Sequence, residues 1–457
     1  MVESLITISS TSTLVVLNTI VMEFLTGVKP GEIVLVGDDE GVGREQCRAV
    51  ERIARAWVGG CRCRFHRAEL TEWGGWRSIG VESGSVVVDL TPGRKLQALK
   101  LYLTAVERGW GSRYILVSDE RRFGYRLFGE ACLDRFRVYS LDESEFISYK
   151  RIDVASSKRD YSRVKSRTIG YTINIALTGD SKLKLDWRSN TYIKATCSGE
   201  GECTVRVEDW GEENIIEWSM IASGAQEPEG MKACIDGIAR ALEEGEYIVY
   251  DTNSYINGIP LIVEERIPKH LRSLHRIQCI RTPTVFNELS RFEKYKTSIT
   301  PEATPKLHGL CVWSKVTPGE PGWMHDGVGD NSLLKDLSRI RKTTGRQVTL
   351  VTFDAGLAER ARALGYNIQL LSLPEPKSEV RVEKEVLSRL IIYSIMGLGY
   401  GNVRVESKNL GVNELRLKYK PVRGYESLML CGGEEYTLKL LKAVEETCNV
   451  ESQYKSQ

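Results

Sequence analysis

Ser85-Val-Val-Val-Asp-Leu-Thr-Pro-Gly-Arg-Lys95 carries a short apolar run straight into a turn of Thr, Pro and Gly and then into a helical pattern. An unbroken Val run of this kind is the signature of a strand buried on both faces, as in a parallel sheet. Leu5-Ile-Thr-Ile8, Glu32-Ile-Val-Leu-Val-Gly37 and Tyr114-Ile-Leu-Val117 read the same way. Between them lie amphipathic helical stretches. From Gly43 to Val58 the residues Cys47, Val50, Ile53, Ala54 and Trp57 share a face, and from Arg94 to Arg108 Leu96, Leu99, Leu103 and Val106 do so. Strand and helix alternate, so residues 1–150 are expected to form a doubly wound, Rossmann-like α/β domain.

The chain has 457 residues, enough for several domains, with 42% apolar and 27% charged residues, the balance of a globular protein. Lys and Arg number 63 against 61 Asp and Glu, a net charge of +2, so any polyanion must be met by a local patch. No stretch approaches about 18 apolar residues, and Met1-Val-Glu-Ser-Leu5 lacks a secretion signal; a cytoplasmic protein with no membrane contact is expected. Eleven scattered cysteines are not a secreted disulfide framework. Cys197 and Cys203 bracket a Ser-Gly-Glu-Gly-Glu tip, a spacing that leaves a hairpin disulfide open. Cys61-Arg-Cys63 before His66 is too tight for a zinc knuckle and reads as strand.

In doubly wound sheets the ligand crevice lies beyond the carboxyl ends of the strands, where the strand order switches. Two loops fall there. Ser9-Ser-Thr-Ser-Thr13 is a run of hydroxyls after the first strand, and Asp89-Leu-Thr-Pro-Gly-Arg-Lys95 opens a helix with Thr91 as a capping residue, Gly93 permitting close approach and Lys95 adding charge. Turn and cap chemistry accounts for these residues as well as an anion site does. Gly37-Asp-Asp-Glu-Gly-Val-Gly43 is glycine-rich, but its acids would repel a pyrophosphate, and it reads as a turn. With the hydroxyl loop, the strand-to-helix element resembles the CRISPR-associated Rossmann-fold (CARF) sensor family over residues 1–150, with Pro92 where a second glycine is common. The resemblance implies a homodimer with a cyclic oligoadenylate across its two-fold axis, faced by Ser9, Ser10, Thr11, Thr91, Gly93, Arg94 and Lys95.

From Ile169 to about Met220 the pattern turns to period-two alternation, in Tyr171-Thr-Ile-Asn-Ile175, Lys182-Leu-Lys-Leu185, Thr191-Tyr-Ile-Lys-Ala195 and Thr204-Val-Arg-Val-Glu208, with turn signals at Thr178-Gly-Asp180 and Ser189-Asn190. Residues 151–230 are therefore expected as a β-rich connector, ending in the linker Ser223 to Gly230 before a helix from Met231 to Leu242. Residues 373–457 read as a small α+β segment with helices at Glu383–Met396 and Glu435–Glu446 and strands at Val403–Val405 and Leu415–Leu417. Arg404, Lys408, Arg416, Lys418, Lys420 and Arg423 make it basic, read either as a solvated strand face or as an RNA-contacting surface.

Residues 231–372 hold four acids at element ends. Glu246-Tyr-Ile-Val-Tyr-Asp251 is a strand delivering Asp251; Thr282 caps and Pro283 starts a helix carrying Glu288; Gly329-Asp330 opens another; and Val348-Thr-Leu-Val-Thr-Phe-Asp354 is a strand ending at Asp354. Clustered carboxylates repel unless cations hold them, and oxygen ligands without paired His or Cys select Mg or Mn, which suits phosphodiester hydrolysis. Asp330 is preferred over Asp326 and Asp336 because it precedes the apolar face Leu333, Leu334 and Leu337.

The set Asp-Thr-Asn, Phe-Asn-Glu-Leu, Gly-Asp-x-x-Leu-Leu and Thr-Phe-Asp-x-x-Leu-Ala resembles the PIN nuclease family over residues 245–372. That resemblance implies a PIN-like domain with Asp251, Glu288, Asp330 and Asp354 as metal ligands, Asn253 orienting the first acid and Thr352 acting near the last; Phe353 departs from the polar residue often found there. The insert Thr300 to Gly329, with Trp313, Trp323 and His325, reads as a lid or a strand-stacking gate. Together the two resemblances imply a cyclic-oligoadenylate-activated, metal-dependent endoribonuclease cleaving single-stranded RNA in type III CRISPR antiviral defence. Two other readings are a nucleotide-responsive binding protein with a structural acid cluster, and a sensor that itself degrades the cyclic nucleotide.

Overall fold

The computed structural model describes residues 2–81, 84–118, 128–155, 164–188, 190–209, 213–291, 303–316, 323–419 and 427–454. Ser189, Lys420 and Arg423 lie outside them, as do residues 300–302 and 317–322 of the expected insert. The protein is a mixed α/β chain with three sheets among the described residues.

The first sheet is built from β1 (Val2–Ile8), β2 (Glu32–Gly37), β3 (Arg62–Arg67), β4 (Ser85–Asp89), β5 (Gly111–Val117), β6 (Phe136–Ser140) and β7 (Glu145–Ile147), in the spatial order β3-β2-β1-β4-β5-β6-β7. β1 to β5 are parallel, and β6 and β7 add antiparallel edges. Leu5 faces a core shared with the helices Thr13–Leu25 and Glu40–Val58, while Ile6 and Ile8 face Trp76, Leu101 and Ala105 on the other side. Both faces are covered, as the Val and Ile runs require.

One helix departs from its expected packing. Lys95–Arg108 buries Gln97, Lys100, Leu101, Thr104 and Ala105, and its Leu stripe points outward. Leu96, Leu99, Leu103 and Val106 are 51%, 52%, 39% and 56% exposed. Those buried residues seat the helix against the sheet, and the Leu96, Leu99, Leu103 and Val106 stripe is left uncovered by the described residues.

The second sheet comprises β8 (Val164–Lys165), β9 (Ser181–Trp187), β10 (Asn190–Cys197), β11 (Glu202–Val207), β15 (Glu379–Glu383), β16 (Tyr400–Ser407), β17 (Gly411–Tyr419) and β18 (Ser427–Gly433). Its order, β15-β11-β10-β9-β16-β17-β18-β8, interleaves the segments expected as a connector and as a C-terminal lobe, which here share one sheet. Leu183, Leu185, Val205, Val403 and Leu415 cover the helices Glu213–Ser223 and Lys384–Leu398, and the intervening residues face solvent. Cys197 and Cys203 are disulfide-bonded across the β10–β11 pair, and Cys47 is joined to Cys63.

The expected strand Tyr171–Ile175 is instead part of a helix, Ser166–Ala176. The apolar and polar positions of this run are all buried, because the helix is enclosed on several sides, so alternation there carries no periodic information. Two of its polar groups donate to carbonyls: Thr172 to Thr168 (2.9 Å) within the helix and Asn174 Nδ2 to Gly129 (3.0 Å) across the fold.

Between β11 and β15, which pair antiparallel, the chain leaves the second sheet to build an inserted unit and then returns to it. The unit has a parallel three-stranded sheet, β12 (Tyr247–Tyr250), β13 (Val348–Thr352) and β14 (Asn367–Leu370), in that order. Most of the described part of the expected lid is a helix, Ala303–Val316, whose Val312, Trp313 and Val316 lie in this unit's core; residues 323–329 form an irregular run before Asp330. Trp313 packs against Tyr255 and Phe286 at ring separations of 5.0 and 6.0 Å, which removes it from any stacking role.

The junction between the first two sheets is apolar in part, where Leu440 and Val444 join the core of the first sheet, and ionic in part. Lys384 is 0% exposed; its Nζ donates to Asp134 Oδ2 and to the Gly179 carbonyl, both at 2.6 Å, and the Gly179 N–H donates to Asp134 Oδ1 at 3.0 Å. Replacing Asp134 with Ala strands a buried ammonium and is expected to destabilise the protein by about 3–5 kcal/mol, whereas Lys384→Met combined with Asp134→Ala should recover most of that loss. Urea midpoints of the two variants read this directly; equal losses in both would contradict it.

Candidate functional site

The acids stand at the carboxyl edge of the three-stranded sheet. Asp251 follows β12 and caps the helix Thr252–Ile256, its Oδ1 accepting the Ser254 N–H at 2.6 Å. Its Oδ2 accepts from the Thr352 hydroxyl at 2.6 Å and the Phe353 N–H at 3.3 Å. Thr352 Oγ1 in turn accepts the Asp354 N–H at 3.0 Å, and Asp354 caps the next helix by accepting the Leu357 N–H at 2.8 Å. One hydroxyl thus ties the acids at the ends of two adjacent strands.

Glu288, in the second turn of the helix Pro283–Ser290, accepts from the Gly329 N–H at 2.6 Å and from the Thr252 hydroxyl. It therefore bridges the neighbours of Asp251 and Asp330. Asp330 opens the helix Asp330–Thr344 and is paired with Arg360, whose other guanidinium nitrogen donates to Asn331 Oδ1 at 3.2 Å. Of the rival third acids, Asp326 is exposed, while Asp336 is buried and accepts from Thr284 and from His325 Nε2 at 2.7 Å. Asp336 is thus committed to holding the loop before Asp330.

Asn253 does not orient Asp251. Its side chain is exposed, and the groups on Asp251 are Ser254, Thr352 and Phe353. Asp251 is only 4% exposed, and burial raises its carboxyl above the usual range against the pull of the Ser254 and Thr352 hydrogen bonds. Sequence reasoning placed Thr252 and Gly329 inside its motifs without giving them a role and missed Arg360; their contacts with the acids emerge only in the folded chain.

Four carboxylates are the donor type that Mg or Mn takes, but in this conformation they do not fit one. Each is engaged by a protein donor, and among the described residues no group of three or more His, Cys, Asp or Glu side chains is gathered closely enough to hold a metal ion.

At the first sheet, a cavity of about 400 Å³ opens beyond β1 and β4, where the strand order reverses. Ser10, Thr11, Thr91 and Gly93 line it. Ser9 instead turns to Gln46 Oε1 (2.9 Å), and Arg94 and Lys95 stand exposed at the helix start, outside the lining. Thr91 is not the cap: Gln97 Oε1 accepts the Arg94 N–H at 3.0 Å, and the Thr91 hydroxyl accepts the Ile115 N–H at 2.8 Å, joining β4 to β5.

Asn18 and Thr19 complete the wall from the first helix, and the buried Thr19 hydroxyl has no hydrogen-bond partner among the described residues. Two adjacent polar residues inside the apolar stretch Leu14–Met22 were the signal for them. A larger cavity, about 500 Å³, is bordered by Ser223–Pro228 and Tyr393 and includes residues of neither site.

Beneath the Thr91 loop lies a buried acid pair. Asp89 accepts the Thr91 N–H at 2.8 Å and faces Glu23, which is paired with Arg113 at 2.6 Å. Burial, and then Glu23, push the Asp89 carboxyl well above its ordinary range.

No family model matches the sequence, and no curated protein matches it. Among solved structures the chain aligns with Can2 from Sulfobacillus thermosulfidooxidans in complex with cyclic tetra-adenylate, at 7% identity and TM-score 0.25, over 85% of this chain and 98% of that one. It also aligns with protein VC1899 from Vibrio cholerae, at 9% identity and TM-score 0.26, over 80% and 93% of the two chains. Likeness at this level assigns neither ligand nor activity.

The Asp89 pair has a pH signature. The folded state keeps this proton to higher pH than the unfolded chain, so stability falls as pH rises from the unfolded carboxyl value through the folded one, and the loss persists above it. Asp89→Asn replaces the shared proton with an amide donor and should melt higher than wild type at neutral pH. The gap should close as pH falls below about 4, as read by scanning calorimetry; a pH-independent difference would contradict the pairing.

Proposed function

We propose that this chain is a cyclic-oligoadenylate-responsive endoribonuclease of type III CRISPR defence, acting as a homodimer on single-stranded RNA with Mg or Mn. The observation that carries the reading is that Asp251 and Asp354 follow adjacent parallel strands and are joined through Thr352, while Glu288 holds Thr252 and Gly329, the chain neighbours of Asp251 and Asp330. The hydroxyl-lined cavity at the switch point of the other parallel sheet supports the sensor half.

In this scheme Asp251, buried and held by three donors, is the fixed acid. Thr352 positions it relative to Asp354, and Glu288 sets the distance to the loop bearing Asp330. A bound hard cation would supply charge stabilisation at the scissile phosphate; these residues would hold it after Asp330 leaves Arg360. The outward stripe Leu96, Leu99, Leu103 and Val106 lies on the helix that follows the Thr91 loop, which suits a dimer bringing two cavities together.

A second reading has an observation in its favour. The carboxylates are all satisfied by protein donors, as expected of a nucleotide-responsive binding protein whose acids are structural.

Incubating wild type and Asp251→Asn with Mn and labelled single-stranded RNA, with and without cyclic tetra- or hexa-adenylate, separates the readings. Ligand-dependent cutting abolished in the variant is expected; cutting by both proteins would remove the acid assignment, and cutting by neither would favour the binding protein. Leu99→Asp with Leu103→Asp should shift sedimentation from dimer to monomer and remove the ligand response. A dimer that survives the double substitution would place the interface elsewhere.

A further inference from the structure

The open face of the second sheet carries a row of opposed cations. Strand register places Arg206 opposite Lys194, Lys194 opposite Lys184, and Lys184 opposite Arg404, on the four adjacent strands β11, β10, β9 and β16. All four are exposed, and at the usual strand spacing the row spans about 14 Å. Like charges directly opposite one another on a sheet are destabilising, and here three such pairs follow in succession. Carboxylates relieve the others, through Arg206–Glu379 (2.5 Å), Lys194–Glu208 (3.3 Å) and Arg404–Glu406 (3.0 Å). Lys184, at the middle of the row, has no ion-pair partner among the described residues, nor does its face neighbour Lys182.

The face continues with Arg416 and Lys418 on β17 and ends in an exposed aromatic ring, Tyr400, opposite Lys418. The basic C-terminal stretch is therefore half of a larger surface, completed by Lys182, Lys184, Lys194 and Arg206 from a segment far away in sequence.

We propose that this sheet face is a binding surface for single-stranded RNA, with the row Arg206, Lys194, Lys184 and Arg404 tracking phosphates and Tyr400 offering a ring to a base. Exposed ion pairs are weak enough to exchange a carboxylate for a phosphate, and an uncompensated central lysine needs no exchange at all. A sheet with a cationic, partly aromatic open face receives splayed bases that a duplex keeps stacked inside. RNA as the partner class rests on the proposed function, but the surface is separate from the four acids and is tested without cleavage.

The test is fluorescence anisotropy of the full-length protein with a labelled single-stranded oligouridylate of roughly 20 nucleotides, in buffer free of divalent cations and over a range of salt. Lys184→Glu with Arg404→Glu is expected to weaken binding about tenfold or more and to flatten the dependence of log affinity on log salt by about 0.7 for each phosphate no longer neutralised. Lys184→Thr guards against a folding artefact: removing one of the opposed charges should leave the melting temperature equal or higher while affinity falls. Lys232→Glu with Lys342→Glu, at two exposed lysines of the inserted unit that belong neither to this sheet face nor to the four acids, matches the change in charge and should bind as wild type does. Unchanged affinity in the sheet-face variants would overturn the proposal, as would equal loss in this control pair, and because no cleavage is read a failed nuclease assignment leaves the result standing. Equal affinity for a duplex, or displacement of RNA by polyglutamate at equal charge, would overturn it as well.

Discussion

A lysine ammonium with no solvent exposure has to be met by a carboxylate, and the meeting of Lys384 with Asp134 sets how the rest of this protein is arranged. Asp134 lies two residues before Phe136, which begins β6 and lines the switch-point cavity. Lys384 opens the long helix that backs the eight-stranded sheet and directly follows β15, the strand through which the chain returns from the inserted unit. Farther along that helix Tyr393 packs on His308 at 4.7 Å between ring centroids, and the Met396 carbonyl accepts from Thr304. Cavity, open sheet and acid-bearing unit therefore hang on one element whose first turn cannot move without exposing or stranding a charge. Contiguity of this kind is a route for strain; only a measured coupling free energy would make it a relay.

Much of the fold could be read from local pattern because the deciding segments have one buried environment each. The Val and Ile runs of β1, β2 and β4 are covered on both faces, and Asp251 and Asp354 sit at strand ends followed by capped helices, all signalled within a few residues. Pattern failed where burial was uniform or inverted. Tyr171–Ile175 alternates in sequence but is buried all round, so period two meant nothing there, and the Leu stripe of Lys95–Arg108 has the right period for a core face yet points outward. The merging of the connector with the C-terminal segment was beyond any local reading, since β9 and β16 are more than two hundred residues apart and only their pairing joins them.

The sites divide along the same line. Where each acid sits was legible, because each is announced by the element that presents it. What each acid touches was not. Arg360, Gly329 and Thr252 reach the carboxylates through tertiary approach, and although Thr252 and Gly329 stand beside two of the acids in sequence, neither announces the contact with Glu288. The hydroxyl loop was legible as a feature but not residue by residue: Ser9 faces Gln46 and Ser10 faces the cavity, a difference decided by the Gln46 side chain of another helix.

The strength of the clasps decides where an activating change would begin. The Arg360–Asp330 pair is exposed, and such pairs contribute about 0–1 kcal/mol, whereas each hydrogen bond to a charged carboxylate contributes about 1.5–3 kcal/mol. Asp251 accepts three such bonds in a buried setting, Glu288 two and Asp330 one solvent-facing pair. A ligand-driven coupling of the usual size, about 1–3 kcal/mol, is enough to exchange the Arg360 clasp but not to uproot Asp251. Under the proposed reading, the strands therefore act as the fixed side of the site. The adjustable side is the pair of helices carrying Asp330 and Arg360, and a sensor that biased the acids would have to act there.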